Sequence, residues 1–586
     1  MVFCKCGDDE LQEGKLLRAA TWLVVIVLGC VQASAGRQEI QPDGVSYLDV
    51  ADKYLAADWR WAISAYWSPL YSWLLGLALV VARPTPSWEY PLVHVVNFLV
   101  YVYAFACFEF FLRHLVRSHT EPSRVSRDPA QISLPAWAWQ MLGCVLFLWC
   151  GLFLITLSSV TPDMCVAALV FLASGLLIRI RVNPDSWGQF VLLGVVLGLA
   201  YLAKAIMFPL AWVFLVACVF SVGNPRKALP RVLLAGSVFL LVCAPFLWAL
   251  HEVKGRWTFG DSGQLAYAWL VDETDSAYLH WRGKPPGTGT PAHPTTQIFD
   301  NPAAYEFKEP LRVTYAPWYD PSYWNEGLVA RFNPRGQLKV LGRGALRYYA
   351  VFVNSPIGMA TLVSFLILLV YSERNISRWM AGVRLWNVLL PAIGALGLYG
   401  GVHVETRYIA PFVVISWLVL FSGIRLRKEV ASSRIMSSVL VAMAGACMVV
   451  IIAESMVPAY STLRDLVRSE EAETTPYWRV ADALGRMGVQ PGDQVGFIGY
   501  GFAAGSFWAR LARVQIIAEI GTGTEFVPKA DVDKFWHAPD DVKRQVIEAF
   551  AKTGAKAIVA NYPPYGHSDP GWRRIGDTDH FVYLLR

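Results

Sequence analysis

Four charged side chains stand where an apolar chain has least reason to keep them. Asp43 lies just past the first apolar run, in "PDGVSYLDVADKYLAADW". Asp163 opens another run directly after Thr161-Pro162, Lys204 interrupts a third in "GLAYLAKAIMFPLAW", and Arg407 sits in "ETRY" between two more. Charge at a membrane border is costly unless it is solvated, paired or used. A carboxylate there can take a proton; a lysine can meet an anion as a point charge and an arginine as a planar fork suited to phosphate oxygens.

Each residue also has a plainer reading. Pro-Asp-Gly opening a helical pattern suits Asp43 as an N-cap, and capping suits Asp163 as well. Lys204 can snorkel from a helix end, and Arg407 can pair with Glu405 or anchor at the interface. Arg60 is a further cation close to Asp43 in the chain. His403, beside two glycines, is a candidate for orienting a substrate.

On a helix starting near Asp43, positions 43, 47, 51 and 55 share a face, so Tyr47 lies one turn beyond Asp43 on the same side. Asp49 and Lys53 fall four apart on another face. Asp49 and Asp52 therefore read as solvated helix-face charges, with Asp58 near the helix end.

The elements that must position these residues follow from composition. Of 586 residues, 55% are apolar and only 16% charged, which marks a polytopic membrane protein. The net charge of +6 sits in short clusters between apolar runs, so the basic residues are topology signals and no nucleic-acid partner is expected. Runs long enough to span a bilayer fall at roughly 17–36, 90–112, 136–158, 163–180, 187–203, 205–221, 230–251, 347–371, 385–402, 408–424 and 435–457, about eleven in all. Pro69 to Ala82 is shorter and reads as a helix lying in the interface. Ala33-Ser34-Ala35 resembles a signal-peptidase site and "VLGC" at 27–30 a lipobox; with or without cleavage, the stretch carrying Asp43 falls outside.

The expected architecture is an α-helical membrane unit over residues 1–458, with a first outer loop at 37–68 and a large outer loop at 252–346. A small extracytoplasmic α/β unit follows at 459–586. The large loop, rich in Pro, Gly and aromatics, reads as ordered but irregular. The C-terminal stretch alternates helical and strand patterns: a helix over Tyr477 to Met487, strands at "GDQVGFIGY", "VQIIAEI" and "AKAIVAN", and a helix over Val542 to Thr553. Its "GFIGYGFAAG" lacks the G-x-G-x-x-G spacing of a dinucleotide site. Cysteines are absent from both long polar regions, and Cys4-x-Cys6 lacks the second pair a zinc site needs.

The run Asp43, Tyr47, Ala51, Leu55, Asp58-Trp59 and then "YWSPLYSWLL" from Tyr66 resembles the first outer loop of GT-C glycosyltransferases of the protein mannosyltransferase and lipid A aminoarabinose transferase type. "SSVTPDMCVAAL" at 158–169, "GLAYLAKAIMFPLAW" at 198–212 and "HVETRYIAPFVV" at 403–414 extend the resemblance in family order. Two departures stand out: the family's second acid is Gly44 here, and the lysine that commonly precedes Pro-Pro-Leu is missing at Trp67-Ser68-Pro69. The C-terminal α/β unit is not a general feature of the family.

The resemblance implies a membrane enzyme that takes a sugar from a polyprenyl-phosphate donor, with inversion, and gives it to a lipid, glycan or protein acceptor on the outer face of the cell membrane. Asp43 would be the general base and Arg407, Lys204 or Arg60 the phosphate ligand. Asp163 would be a second acid facing Asp43, with Tyr47, His403, Glu405 and Tyr408 around the substrate. Trp281, His293, Tyr315, Trp318, Tyr319, Asp320 and Trp324 of the large loop would cover the cavity or anchor at the interface. No cofactor is implied, and so few acids give a divalent metal weak support. A bacterial setting follows from the lack of glycosylation sequons in the outer regions, Asn375-Ile376-Ser377 falling in an inner connection. The rival classes are a flippase for a lipid-linked glycan, which usually carries mid-span charges and repeats, and a non-catalytic subunit presenting the C-terminal unit.

Overall fold

In lipid every backbone polar group must be satisfied within the segment, so the apolar runs become helices. A computed structural model describes residues 5–120, 131–132, 134–274, 281–283, 285–372, 385–427, 433–468, 475–499, 501–521, 530–561 and 571–585. Cys4 and the Asn375-Ile376-Ser377 sequon lie outside these. The helices run α1 (Lys5–Ala35), α2 (Pro42–Leu55), α3 (Trp59–Ala62), α4 (Pro69–Ala82), α5 (Glu89–Thr120), α6 (Ala136–Leu148), α7 (Asp163–Val182), α8 (Trp187–Ala203), α9 (Met207–Val222) and α10 (Pro225–Lys254). The large loop holds α11 (Ser262–Leu270), α12 (Ala316–Tyr319) and α13 (Pro321–Trp324), followed by α14 (Pro334–Tyr349), α15 (Pro356–Tyr371), α16 (Trp386–Val402), α17 (Thr406–Ser422) and α18 (Arg434–Arg468).

Each apolar run is helical, but the helices differ in reach. Among the described residues six are long and apolar enough to cross a bilayer, seven if the pair Pro334–Asn354 and Pro356–Tyr371, bent by 72°, is one span. The remaining four, α8, α9, α16 and α17, have 16 or 17 residues. Helix length alone thus gives fewer full spans than eleven. Pro69–Ala82 is a 14-residue helix, as its length suggested.

Close packing lets the short helices hold together. Gly194 and Gly198 on α8, four apart, face Ala235, Val238, Phe239 and Val242 on α10, where any side chain would crowd the neighbouring helix. Small residues at this spacing let two helix backbones approach. Exposed Trp59, Trp73 and Trp88 mark an aromatic border around α3, α4 and the turn before α5.

The C-terminal chain adds α19 (Pro476–Arg486), α20 (Ser506–Ala512), α21 (Ala530–Trp536) and α22 (Asp540–Lys552) around a seven-stranded sheet. Its strands are β2 (Thr296–Phe299), β3 (Ala304–Glu306), β5 (Gln494–Ile498), β6 (Gln515–Ile520), β7 (Ala557–Asn561), β8 (Trp572–Arg574) and β9 (His580–Leu584), in the order β2-β3-β6-β5-β7-β9-β8. β6, β5 and β7 are parallel, while β3 joins β6 antiparallel. A separate two-stranded ladder pairs β1 (Gln131–Ile132) with β4 (Leu426–Arg427). The sheet is therefore not closed by the C-terminal chain alone, because the large loop lends it β2 and β3. That loan ties the loop, and the residues it carries over the helical bundle, to the C-terminal unit.

One expectation about α2 fails. Asp49 is not solvated: its side chain is buried and accepts from Thr314 and Arg510. Lys53 pairs with Asp58 at 3.0 Å rather than with Asp49. Burial against the large loop and α20 overrides the helix-surface pattern.

Candidate active site

The four charges singled out by the sequence meet at one end of the bundle because each sits at a helix break. Pro42 and Asp43 begin α2, Asp163 begins α7, Lys204 follows the last residue of α8, and Arg407 is the second residue of α17. Helix termini expose unpaired backbone groups, and the dipole favours carboxylates at N-termini and cations at C-termini. Asp43, Asp163 and Lys204 obey that rule. Arg407 opposes it, and two carboxylates compensate.

Arg407 Nη2 donates to Asp43 Oδ2 at 3.0 Å, and its Nη1 lies 3.7 Å from Asp163 Oδ2. Lys204 Nζ donates to Asp163 Oδ1 at 2.5 Å and sits 3.4 Å from the centre of the Tyr408 ring. Thr161 Oγ1 donates to Asp163 Oδ2 at 2.8 Å. Asp163, only 3% exposed, is thus occupied with both cations, whereas Asp43 keeps 18% of its side chain open. Asp43 gives neither oxygen to the α2 backbone, Oδ2 being bound by Arg407. Its second oxygen, Oδ1, accepts from Trp318 Nε1 at 3.2 Å.

Two cavities flank this cluster. The first, about 390 Å³, is lined by Asp43, Tyr47, Asp163, Lys204, Arg407 and Tyr408, with aromatics from Trp67, Trp269, Trp318, Tyr399 and Phe502. The second, about 420 Å³, is lined by Gln41, Asp43, Thr156, Ser159, Glu405, Thr406 and Arg407, with Phe153 to Ile155. Asp43, Glu405 and Arg407 belong to both. A wall made of two carboxylates and one guanidinium therefore separates an aromatic chamber from a more polar one.

His403 Nε2 lies 3.1 Å from Glu405 Oε1 at the rim, and the His403 hydrogen bond holds the Glu405 carboxyl below its usual range. In the loop between α8 and α9, burial pushes the Lys204 ammonium down to about 8, against the pull of Asp163. The Tyr47 ring lies against Trp67 and Tyr71 on the chamber wall; burial, then Asp43, pushes its hydroxyl well above the ordinary range.

Arg60 is not brought in. It is exposed and lies over the Trp61 ring, 5.0 Å from its centre, outside both cavities. Of the loop aromatics, Trp318 lines the first cavity. Trp281 is buried against Thr288, Tyr315 against Glu519, and Trp324 against the Ala316 carbonyl. Tyr319 donates to the Trp61 carbonyl, Asp320 caps α13, and His293 stacks on Tyr323. Thr161, Tyr399 and Phe502 were not anticipated; only Thr161, two residues before Asp163, had a local signal. Among the described residues no group of three or more His, Cys, Asp or Glu side chains converges as a metal site would require.

No protein-family model and no curated protein matches the chain by sequence. Among solved structures, the fold aligns with ArnT from Cupriavidus metallidurans in the apo state at a TM-score of 0.51 and 10% identity, over 96% of this chain and 98% of that one. ArnT bound to undecaprenyl phosphate aligns at 0.46 and 12% identity, over 96% and 97% of the two chains. The oligosaccharyltransferase AglB from Archaeoglobus fulgidus, in complex with an inhibitory peptide and a dolichol-phosphate, aligns at 0.43 and 12%, over 92% of this chain and 69% of that one. The fold of this chain is the GT-C fold, a polytopic helical bundle carrying a small C-terminal sheet.

Proposed function

We propose that the chain transfers a sugar from a polyprenyl-phosphate donor to a hydroxyl-bearing lipid, glycan or protein acceptor on the outer face of the cell membrane. The observation that carries this reading is the shared wall: Asp43 and Arg407 face two cavities at once, and Lys204 lines only one of them. The donor phosphate belongs in the aromatic chamber, against Lys204 and the Arg407 fork. The acceptor enters from the polar side and meets Asp43. The GT-C fold and the family-like motifs around these residues support the same assignment.

In the resting site Arg407 and Trp318 each donate a hydrogen bond to Asp43, one to each carboxylate oxygen, so neither oxygen is free to meet an acceptor hydroxyl. A phosphate that takes up Arg407 frees Asp43 to receive the acceptor proton. The acceptor oxygen then attacks the anomeric carbon from the side opposite the phosphate. The carbon–oxygen bond to phosphate breaks with its electron pair going to the phosphate, and the configuration inverts. Asp163 is not a second base in this scheme; it holds Lys204 and Arg407 in place. Transport is less favoured, since these charges gather at helix ends rather than in mid-span.

The test is Asp43→Asn in the purified protein, reconstituted in lipid nanodiscs with a polyprenyl-phosphate sugar and a panel of hydroxyl acceptors. New glycosidic bonds, read by mass spectrometry, should form about 10³-fold more slowly than in the wild type. Transfer at the wild-type rate would remove Asp43 from the mechanism. Movement of the labelled lipid-sugar across vesicles without any new bond would favour the flippase.

A further inference from the structure

The C-terminal unit bears on the helix that carries Asp43 in two ways, one directly on α2 and one through Trp318 to the Asp43 carboxylate. The first is ionic. Arg510 of α20, 3% exposed, donates from Nε to Glu89 at 2.6 Å and from Nη1 to Asp49 at 2.8 Å and Asp52 at 2.5 Å. Arg513 adds a second cation, bonded to Glu89 and 3.9 Å from Asp52. Asp49 and Asp52 lie on α2, so one side chain of the C-terminal unit grips that helix downstream of Asp43. Asp49 also accepts from the Thr314 backbone and hydroxyl at 3.0 and 2.8 Å.

The second contact is aromatic. Phe502, between β5 and α20, meets the Trp318 indole edge-on at 4.5 Å, and Trp318 Nε1 donates to Asp43 at 3.2 Å. The segment bearing Trp318 is itself held by the C-terminal unit: Tyr315 donates to Glu519, and the Ile516 backbone donates to the Thr314 carbonyl at 3.0 Å. Ser46 of α2 donates to the Trp318 carbonyl at 3.0 Å. Helix, loop segment and C-terminal unit thus close a ring of contacts around Asp43.

We propose that the C-terminal unit positions the Asp43 carboxylate, Phe502 through Trp318 and Arg510 through the axis of α2. Arg510 and Phe502 are positioning residues. A lysine cannot serve in place of Arg510, because one ammonium cannot span Glu89, Asp49 and Asp52 with a planar fork. A buried network of charge-assisted hydrogen bonds specifies one geometry for the elements it joins. The proposal rests on Asp43 being the base for its catalytic meaning, but the positioning itself is measurable without sugar transfer.

The test uses the full-length protein in nanodiscs, wild type, Phe502→Ala and Arg510→Lys. A water-soluble carbodiimide labels accessible carboxyls, and mass spectrometry reads the rate at Asp43. With thermal unfolding unchanged, Phe502→Ala should raise the Asp43 labelling rate about tenfold, the scale on which displacement of a positioned group is felt. Where sugar transfer is measurable, Arg510→Lys, which alters no residue of the donor chamber, should lower kcat per titrated active site with KM for the donor unchanged, whereas a misfolded fraction lowers the number of active sites and leaves the rate per site as it was. Its Asp43 labelling rate should rise as well. Wild-type labelling of Asp43 in folded Phe502→Ala overturns the proposal. Absence of transfer in the wild type would sink the function and leave the labelling result standing.

Discussion

Helix α2 carries an ionic cluster at each of two places, and they are built from the same residue types to opposite ends. Near its start, Asp43 and, from α7, Asp163 face Arg407 and Lys204 beside two cavities. Farther along, Asp49, Asp52 and, from α5, Glu89 surround Arg510 and Arg513. The second cluster sets Nε and Nη1 of its central guanidinium against three carboxylates, leaves Nη2 buried without a hydrogen-bond partner, and lines neither of the two cavities. The first leaves Asp43 partly open and commits Arg407 to an arrangement that opposes the helix dipole. What separates a reactive cluster from a structural one is thus access to a cavity, not composition.

Breaking each cluster should give a different failure. The roughly 10³-fold loss of transfer expected for Asp43→Asn should come with little loss of stability, since the amide keeps the shape, its oxygen still accepts a hydrogen bond, and Arg407 keeps Asp163 as a counter-charge. Arg510→Met should do the reverse first. It takes away the guanidinium that buried Asp49 and Glu89 share, leaving Asp49 to Thr314 and Glu89 to Arg513, which costs about 3–5 kcal/mol, and chemical denaturation in detergent should show that loss. An Asp43→Asn protein as destabilised as Arg510→Met would erase the distinction.

A finer probe uses pH. Lys204, pushed down to about 8 by burial, is cationic below that value and loses its charge as pH rises through it. Transfer should therefore decline on the alkaline side near pH 8. Lys204→Arg stays charged at any working pH, so its alkaline limb should move upward. An unchanged profile would separate Lys204 from the phosphate. The smallest effect belongs to Arg60→Ala, expected to stay within about twofold of wild type because surface side chains away from the site matter little. A large loss there would show that Arg60 reaches the substrate after all.

These contrasts also explain what could be read from the chain. Asp43, Asp163, Lys204 and Arg407 were legible because each breaks an apolar pattern, and a charge at such a break needs a partner or a use. Arg60, close to Asp43 in sequence, was misleading: proximity along the chain does not carry a side chain around α3 into the cavity. Asp49 was misread for a related reason. Its i, i+4 relation to Lys53 suggested a surface pair, while its actual cation lies 461 residues away. Trp318 appeared as one aromatic among many, since only the docking of the large loop selects it. Phe502 had no local signal at all, and the lending of β2 and β3 to the C-terminal sheet is non-local pairing that periodicity does not report. The fold class was written in hydropathy; the completion of the site was written in contacts between distant segments.

The short helices carry a last consequence. α8 and α17 have 17 residues each, about 25 Å at the α-helical rise of ~1.5 Å per residue, against a hydrocarbon layer of about 30 Å. Lys204 and Arg407 stand at their ends, and a span this short holds its end charges nearer to the hydrocarbon than a full-length one does. A bilayer that thins around such helices brings a lipid-borne phosphate closer to these charges. The thickness of the surrounding membrane thereby becomes a parameter of the site, set by lipid composition rather than by any residue in the chain.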